Sequence, residues 1–214
     1  TLFSSFSWLY IADGHHRGAA ASRTAAQLKS ANPAHTGDED YNYFLSVIFP
    51  ASQLRIMPYN RVVQDLNGRS TEAFIHAVSE KFTVKADGRR EPERYGQVCM
   101  YLNKQWYTLE PKFDLASLGV IECLDVSILQ DNILAPLLGI DDPRTSKRIN
   151  FVGGIRGVGE LEKLVDSGKY QVAFSMFPTT VEQMMDIADA GAIMPPKSTW
   201  FEPKLRDGLV CHNF

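Results

Sequence analysis

Residues 8–29 constrain this chain more than any other stretch. The apolar run Trp8-Leu9-Tyr10-Ile11-Ala12 reads as a strand, Asp13-Gly14 as the turn that stops it, and Gly18 to Lys29 as an alanine-rich helix ending near Asn32-Pro33. Between turn and helix stand His15, His16 and Arg17, three side chains able to carry positive charge. The first turn of a helix has unpaired backbone N–H groups and a partial positive charge, so it draws anions. An arginine and two imidazoles at that place point to a phosphate or carboxylate site.

The remaining pattern alternates strands with helices. Tyr43 to Phe49 is a β-branched and aromatic run closed by Pro50, and Leu54 to Met57 and Arg61 to Val63 read as short extended pieces. Ser70 is placed to cap a helix over Thr71 to Lys81, with Phe74, Ile75, Ala77 and Val78 as its apolar stripe. Lys81 to Arg94 is charge-rich and reads as a solvated excursion around an Asp87-Gly88 turn. Gln97 to Leu102 and Gln105 to Leu109 flank Asn103-Lys104 as a hairpin, and Asp125 opens a helix toward Leu138. The last third gives a strand over Arg148 to Val152, a glycine-rich turn, a helix over Glu160 to Asp166, a strand over Tyr170 to Phe177, and a helix capped by Thr179 or Thr180. This rhythm predicts an α+β fold, a mixed sheet with flanking helices, in one unit spanning residues 1–214. Because Thr1 stands almost inside the first strand, the chain reads as the C-terminal part of a longer protein.

Composition excludes some roles. With 214 residues, 44% of them hydrophobic, an ordinary buried core is affordable. A net charge of −3 and a pI near 5.9 argue against a dedicated nucleic-acid binder, though not against one basic face. The three cysteines, Cys99, Cys123 and Cys211, are far apart and form no CxxC pair, which suggests reduced thiols in a cytoplasm. The longest apolar run is too short to cross a membrane, and no signal peptide is visible.

Four constellations offer chemistry. In Asp13-Gly14-His15-His16-Arg17, Arg17 suits bidentate phosphate contact, Gly14 lets a ligand approach the backbone, and Asp13 is placed to orient a histidine or hold magnesium. The plainer reading makes Asp13 a helix cap. A metal centre on Asp13, His15 and His16 is disfavoured, because adjacent helical histidines point about 100° apart, and no metal set is assigned. The run Met194-Pro195-Pro196-Lys197-Ser198-Thr199-Trp200-Phe201-Glu202-Pro203-Lys204-Leu205-Arg206 sets Lys197 as a phosphate-neutralising group beside Ser198, with Glu202 as a base or magnesium ligand and Trp200 and Phe201 as core. Gly153-Gly154-Ile155-Arg156-Gly157-Val158-Gly159 lies between a strand and a helix but matches neither phosphate-loop spacing. In Pro58-Tyr59-Asn60-Arg61, Arg61 interrupts an apolar stretch and is a further phosphate candidate.

Ile11-Ala12-Asp13-Gly14-His15-His16-Arg17, Pro58-Tyr59-Asn60-Arg61-Val62-Val63 and Met194 through Leu205 together resemble the prokaryotic domain-of-unknown-function family one thousand and fifteen. The resemblance spans nearly the whole chain, and family members are about twice this length. Where members commonly carry an aromatic after His-His-Arg, this chain has Gly18. The Asp-Gly-His-His-Arg turn is also similar to that of the ParB/sulfiredoxin superfamily, which includes partition-protein CTPases, sulfiredoxin and free-serine kinases. That resemblance implies a ParB/sulfiredoxin-like strand-turn-helix that binds nucleotide phosphates. Sulfiredoxin needs a cysteine in the turn, and none stands here.

The implied function is a nucleotide-binding phosphotransferase, an ADP- or ATP-dependent, magnesium-assisted kinase of a small hydroxyl-bearing metabolite such as serine. Arg17, His15, His16 and Gly14 would hold phosphates with Arg61, Lys197 and Ser198, while Asp13, His15, His16 and Glu202 would serve catalysis. The alternative is a non-catalytic, nucleotide-gated ParB-like switch. The expected partners are a nucleotide and a small-molecule substrate, with homo-oligomer formation left open.

Overall fold

The computed structural model describes residues 2–206 and 208–212. The chain divides into two compact units, one of Thr1–Arg55 with Phe201–Phe214 and one of Ile56–Trp200. Along the sequence the boundaries fall inside two three-residue strands, β1 (Arg55–Met57) and β8 (Trp200–Glu202).

The first unit is built on helix α1 (His15–Ala31), which starts on Gly14 and gives way to extended backbone at Asn32, close to the expected span. Ala19, Ala20, Ala21, Ala25 and Ala26 supply high helix propensity, yet no residue of α1 is buried. The helix and the turn match expectation; the strand before them does not form. Neither 8–12 nor 43–49 makes a ladder, and both are largely exposed, with Trp8 at 79% and Phe44 at 58%. A strand exists only through hydrogen bonds to a neighbour, which apolar composition cannot supply.

The second unit holds a six-stranded sheet in the order β3-β5-β4-β7-β2-β6. Its strands are β2 (Tyr59–Val63), β3 (Phe82–Lys85), β4 (Val98–Leu102), β5 (Gln105–Pro111), β6 (Ile149–Gly153) and β7 (Val172–Met176). Every neighbouring pair is antiparallel, so the α+β class holds but the sheet is not mixed. The reason lies in the one strand-helix-strand passage of the last third. β6 and β7, joined through α4 (Val158–Asp166), both run against β2, and β2 sits between them. The unit is thus a split β-α-β, whose two like-directed strands never touch. The Asn103-Lys104 hairpin joins β4 to β5 as expected, with φ of 49° and 62°, the left-handed pair of a type I′ turn. The segment after Lys81 departs from expectation: Phe82 is buried at the start of β3, and only the stretch beyond it is solvated.

Strand alternation divides the core in two. Val63, Met100, Leu109 and Phe174 face one layer with Phe74 and Val78 of α2 (Thr71–Lys81), Leu129 of α3 (Asp125–Leu129) and Ile187 of α5 (Val181–Asp189). Val62, Cys99, Tyr101, Trp106 and Ala173 face the other, against Leu161 of α4. Helix starts follow the sequence: Ser70 Oγ accepts from the Ala73 N–H, and Thr180 forms a capping box with Gln183. The helix opened by Asp125 continues past α3 as a π-helical turn over Gln130–Leu134. Among the described residues, no helix is long and apolar enough to cross a membrane.

Asp125 is buried at the start of α3, where Oδ1 accepts the Gly96 N–H at 2.8 Å. Burial outweighs that bond and pushes its carboxyl up to about 7. The native state therefore keeps a proton that the unfolded chain has released, so this group's contribution to stability falls as pH rises from about 4 to about 7. Asp125→Asn retains an acceptor for Gly96 and is expected to lose less stability than wild type between pH 5 and pH 8, measured by urea midpoints. The same pH dependence in both chains would overturn this assignment.

Candidate functional site

The predicted residues fall into two groups. Asp13, Gly14, His15, His16, Arg17 and Glu202 belong to the first unit, whereas Arg61, Lys197 and Ser198 belong to the second.

In the first unit, Gly14 occupies the left-handed region (φ 82°) at the N-terminus of α1, and no side chain caps the helix. Asp13 is not the cap: Oδ1 accepts the Gly14 N–H at 2.8 Å, and Oδ2 lies 3.1 Å from Lys204 Nζ. Partial burial works to raise the Asp13 pKa, but Lys204 and the Gly14 N–H outweigh it and hold the carboxyl below its usual value. That ion pair brings the Asp-Gly-His-His-Arg turn to the Glu202-Pro203-Lys204 end of the second motif. The Arg17 guanidinium folds back over the turn, so a Cβ on Gly14 would lie 3.2 Å from Nη2. Glycine is thus favoured by its left-handed φ, with the Arg17 tip lying close over the space a Cβ would take. His15, His16 and Arg17 are exposed, and Glu202 is half-buried at the end of β8.

In the second unit, Arg61 is almost fully buried, and its guanidinium bonds only backbone and an aromatic face. Nη1 donates to the Tyr59 carbonyl, Nη2 donates to the Lys197 carbonyl at 3.3 Å, and the group stacks 5.6 Å from the centre of Phe151. Burial lowers its pKa to about 10, which leaves it charged at neutral pH. Ser198 is likewise buried and engaged: Oγ donates to the Pro195 carbonyl at 2.7 Å, while the Ser198 carbonyl accepts from Thr179 Oγ1 at 3.2 Å. Arg61 and Ser198 thus frame the turn that presents Lys197. Lys197 adopts a left-handed backbone (φ 55°) and places Nζ 5.4 Å from the centre of the Tyr59 ring.

Tyr59, Phe151 and Lys197 border a cleft of about 570 Å³ at β6, one of the two edge strands of the sheet. Tyr59, Phe151, Tyr170 and Trp200 are its aromatic walls, with Tyr59 and Trp200 edge to face at 5.3 Å. Arg156, Lys169 and Lys197 bring positive charge and Glu160 one carboxylate. Three sequence motifs meet here: Pro58 to Arg61, the glycine-rich turn, and Pro195 to Trp200. The first glycines serve packing, since a Cβ on Gly153 would meet the Trp200 ring at 2.6 Å and one on Gly154 the Pro58 carbonyl at 2.9 Å. Asn150, Lys169 and Tyr170 were not marked by any motif; only the register of β6 and the turn after α4 brings them to this edge. Among the described residues, no three of His, Cys, Asp and Glu gather to hold a metal ion.

Over residues 1–127 the chain matches the family described as "Protein of unknown function (DUF1015)". The chain belongs to that family. The matched region carries the α1 turn and β1 to β5, while most of the cleft lies beyond it. None of the curated proteins matches. Among solved structures, the family member is similar to a glutamate-to-alanine variant of a free serine kinase in complex with AMP, at 16% identity and a TM-score of 0.44, covering 89% of this chain and 66% of that one. The same kinase variant in complex with ADP gives 18% identity, the same TM-score and the same coverage. A conserved hypothetical protein from Pyrococcus furiosus gives 13% identity and a TM-score of 0.44, covering 89% of this chain and 68% of that one. The chain therefore spans just under two thirds of the length of the kinase chains.

The glycine-rich turn gives a direct test of its packing role. Gly154→Ala is expected to destabilise the fold by about 1–3 kcal/mol through the clash with Pro58. Gly159→Ala, inside α4 with nothing within 4 Å, is expected to be neutral or to stabilise by about 0.5–1 kcal/mol. Equal denaturation midpoints for the two variants would refute the assignment.

Proposed function

We propose that this chain is a nucleotide-binding phosphotransferase that acts on a small hydroxyl-bearing metabolite, with phosphates gripped at the start of α1. The observation that carries this reading is a 17-residue helix whose N-terminus has no side-chain cap and no acid in its first turn, but exposed His15, His16 and Arg17. The positive charge of Arg17 there is the wrong sign for helix stability, since a cation near a helix N-terminus costs about 0.3–1 kcal/mol. An arrangement that opposes its own helix is explained by an anionic ligand. The open N–H groups and Gly14 would receive phosphate oxygens, and Arg17 would grip them bidentately.

Phosphoryl transfer depends on positioning and charge neutralisation more than on a protein nucleophile, so this residue set is adequate. His15 and His16 would share the phosphate charge or move a proton, and Glu202 is the candidate base toward an acceptor hydroxyl. Asp13 is committed to Lys204 and Gly14, which fixes the turn rather than leaving a carboxylate for a metal. Magnesium would therefore arrive on ADP or ATP and neutralise phosphate charge there. Serine as acceptor follows from the resemblance of the turn to that of free-serine kinases.

Arg17→Ala is expected to abolish serine-dependent consumption of ADP or ATP, and to weaken binding of tripolyphosphate, a ringless probe of the turn, at least tenfold by calorimetry. The melting temperature should hold, because α1 buries no residue. Unchanged turnover and unchanged tripolyphosphate affinity would refute the reading.

A further inference from the structure

The cleft of the second unit has a charge balance that its own residues leave open. Arg156, Lys169 and Lys197 surround it, and none of them forms an ion pair among the described residues. Elsewhere in the same unit, Lys85 and Arg94 meet Glu110, Arg90 meets Glu162 and Arg148 meets Asp65, while Arg69, Lys81 and Lys112 donate to neutral oxygens. At the cleft, two lysines sit instead over tyrosine faces, Lys197 at 5.4 Å from Tyr59 and Lys169 at 5.6 Å from Tyr170. Such contacts orient an ammonium without neutralising it.

Three cations against the single carboxylate of Glu160 leave a net charge of +2. A phosphomonoester carries about −1.5 to −2 at neutral pH, which matches that excess. The four rings supply what the phosphate alone does not need: flat apolar walls, with the Tyr59–Trp200 pair held in place because Gly153 lets the indole lie against the β6 backbone. The volume also falls within the range of about 300–1,000 Å³ usual for small-molecule sites. Buried Arg61, holding the Tyr59 and Lys197 carbonyls, makes both the ring and the ammonium parts of one fixed frame.

We infer that this cleft is a ligand site in its own right, and that it binds a planar aromatic phosphomonoester. The rings stack on the planar group while Arg156, Lys169 and Lys197 take the phosphate. The site stands on its own residues and does not depend on phosphoryl transfer at α1.

The test uses the full chain carrying Arg17→Ala, so that the α1 turn does not contribute. Calorimetric titration is expected to show saturable binding of AMP, and of phenyl phosphate if the ring alone suffices. Inorganic phosphate and adenosine, each offering half of the ligand, should bind at least tenfold more weakly. Adding Lys169→Ala or Arg156→Ala, both at exposed positions, should weaken AMP at least tenfold with the circular dichroism spectrum unchanged. AMP without phenyl phosphate identifies the nucleoside members of the class. Absence of AMP binding, inorganic phosphate as tight as AMP, or indifference to both substitutions overturns the site. Each of these results leaves the α1 reading to its own tripolyphosphate test.

Discussion

A guanidinium withdrawn from water with no carboxylate beside it is an expensive object, and Arg61 is one. An isolated buried charge is tolerated only when hydrogen bonds and polarisable neighbours replace its hydration. Here two carbonyls and the face of Phe151 do so, and one of the carbonyls belongs to Lys197, 136 positions from Arg61 in the chain. One side chain thereby fixes the distance between the start of β2 and the turn before β8. The left-handed backbone of Lys197, a conformation that L residues seldom hold, persists because its surroundings over-determine it. The cleft is shaped by this tie as much as by the sheet beneath it.

The two units show different ways of keeping a helix. In the second, α2, α3, α4 and α5 each bury residues against the sheet, so tertiary packing holds them. In the first, α1 has alanines and length, and Arg17 stands in a first turn that holds no acid. Such a segment is governed by local propensity and by whatever meets its ends. Under the proposed function, an anion bound at the α1 turn would offset the charge of Arg17 and support the helix together.

Features written into neighbouring residues were legible from the sequence. The Ser70 cap, a cap at Thr179 or Thr180, the Asn103-Lys104 hairpin and the His-His-Arg start of α1 all follow from local chemistry, and the structure shows them, with Thr180 as the second cap. Features set by distant partners were not. The runs 8–12 and 43–49 have strand composition but no ladder, and the insertion of β2 between β6 and β7 depends on the whole sheet. The site divides the same way. Lys197 was readable as a presented cation, whereas Arg61 and Ser198, read from their motifs as phosphate contacts, are buried as the inner frame. Lys169 and Tyr170 follow an ordinary glycine turn, and only the fold gives them a role at the cleft.

The run Tyr43-Phe44-Leu45-Ser46-Val47-Ile48-Phe49 combines aromatic and β-branched side chains with no charge, proline or glycine, and much of it faces solvent. Segments of that composition are natural templates for intermolecular cross-β stacking when left uncovered. These seven consecutive residues of the first unit, which take no part in either proposed site, meet both conditions for such stacking.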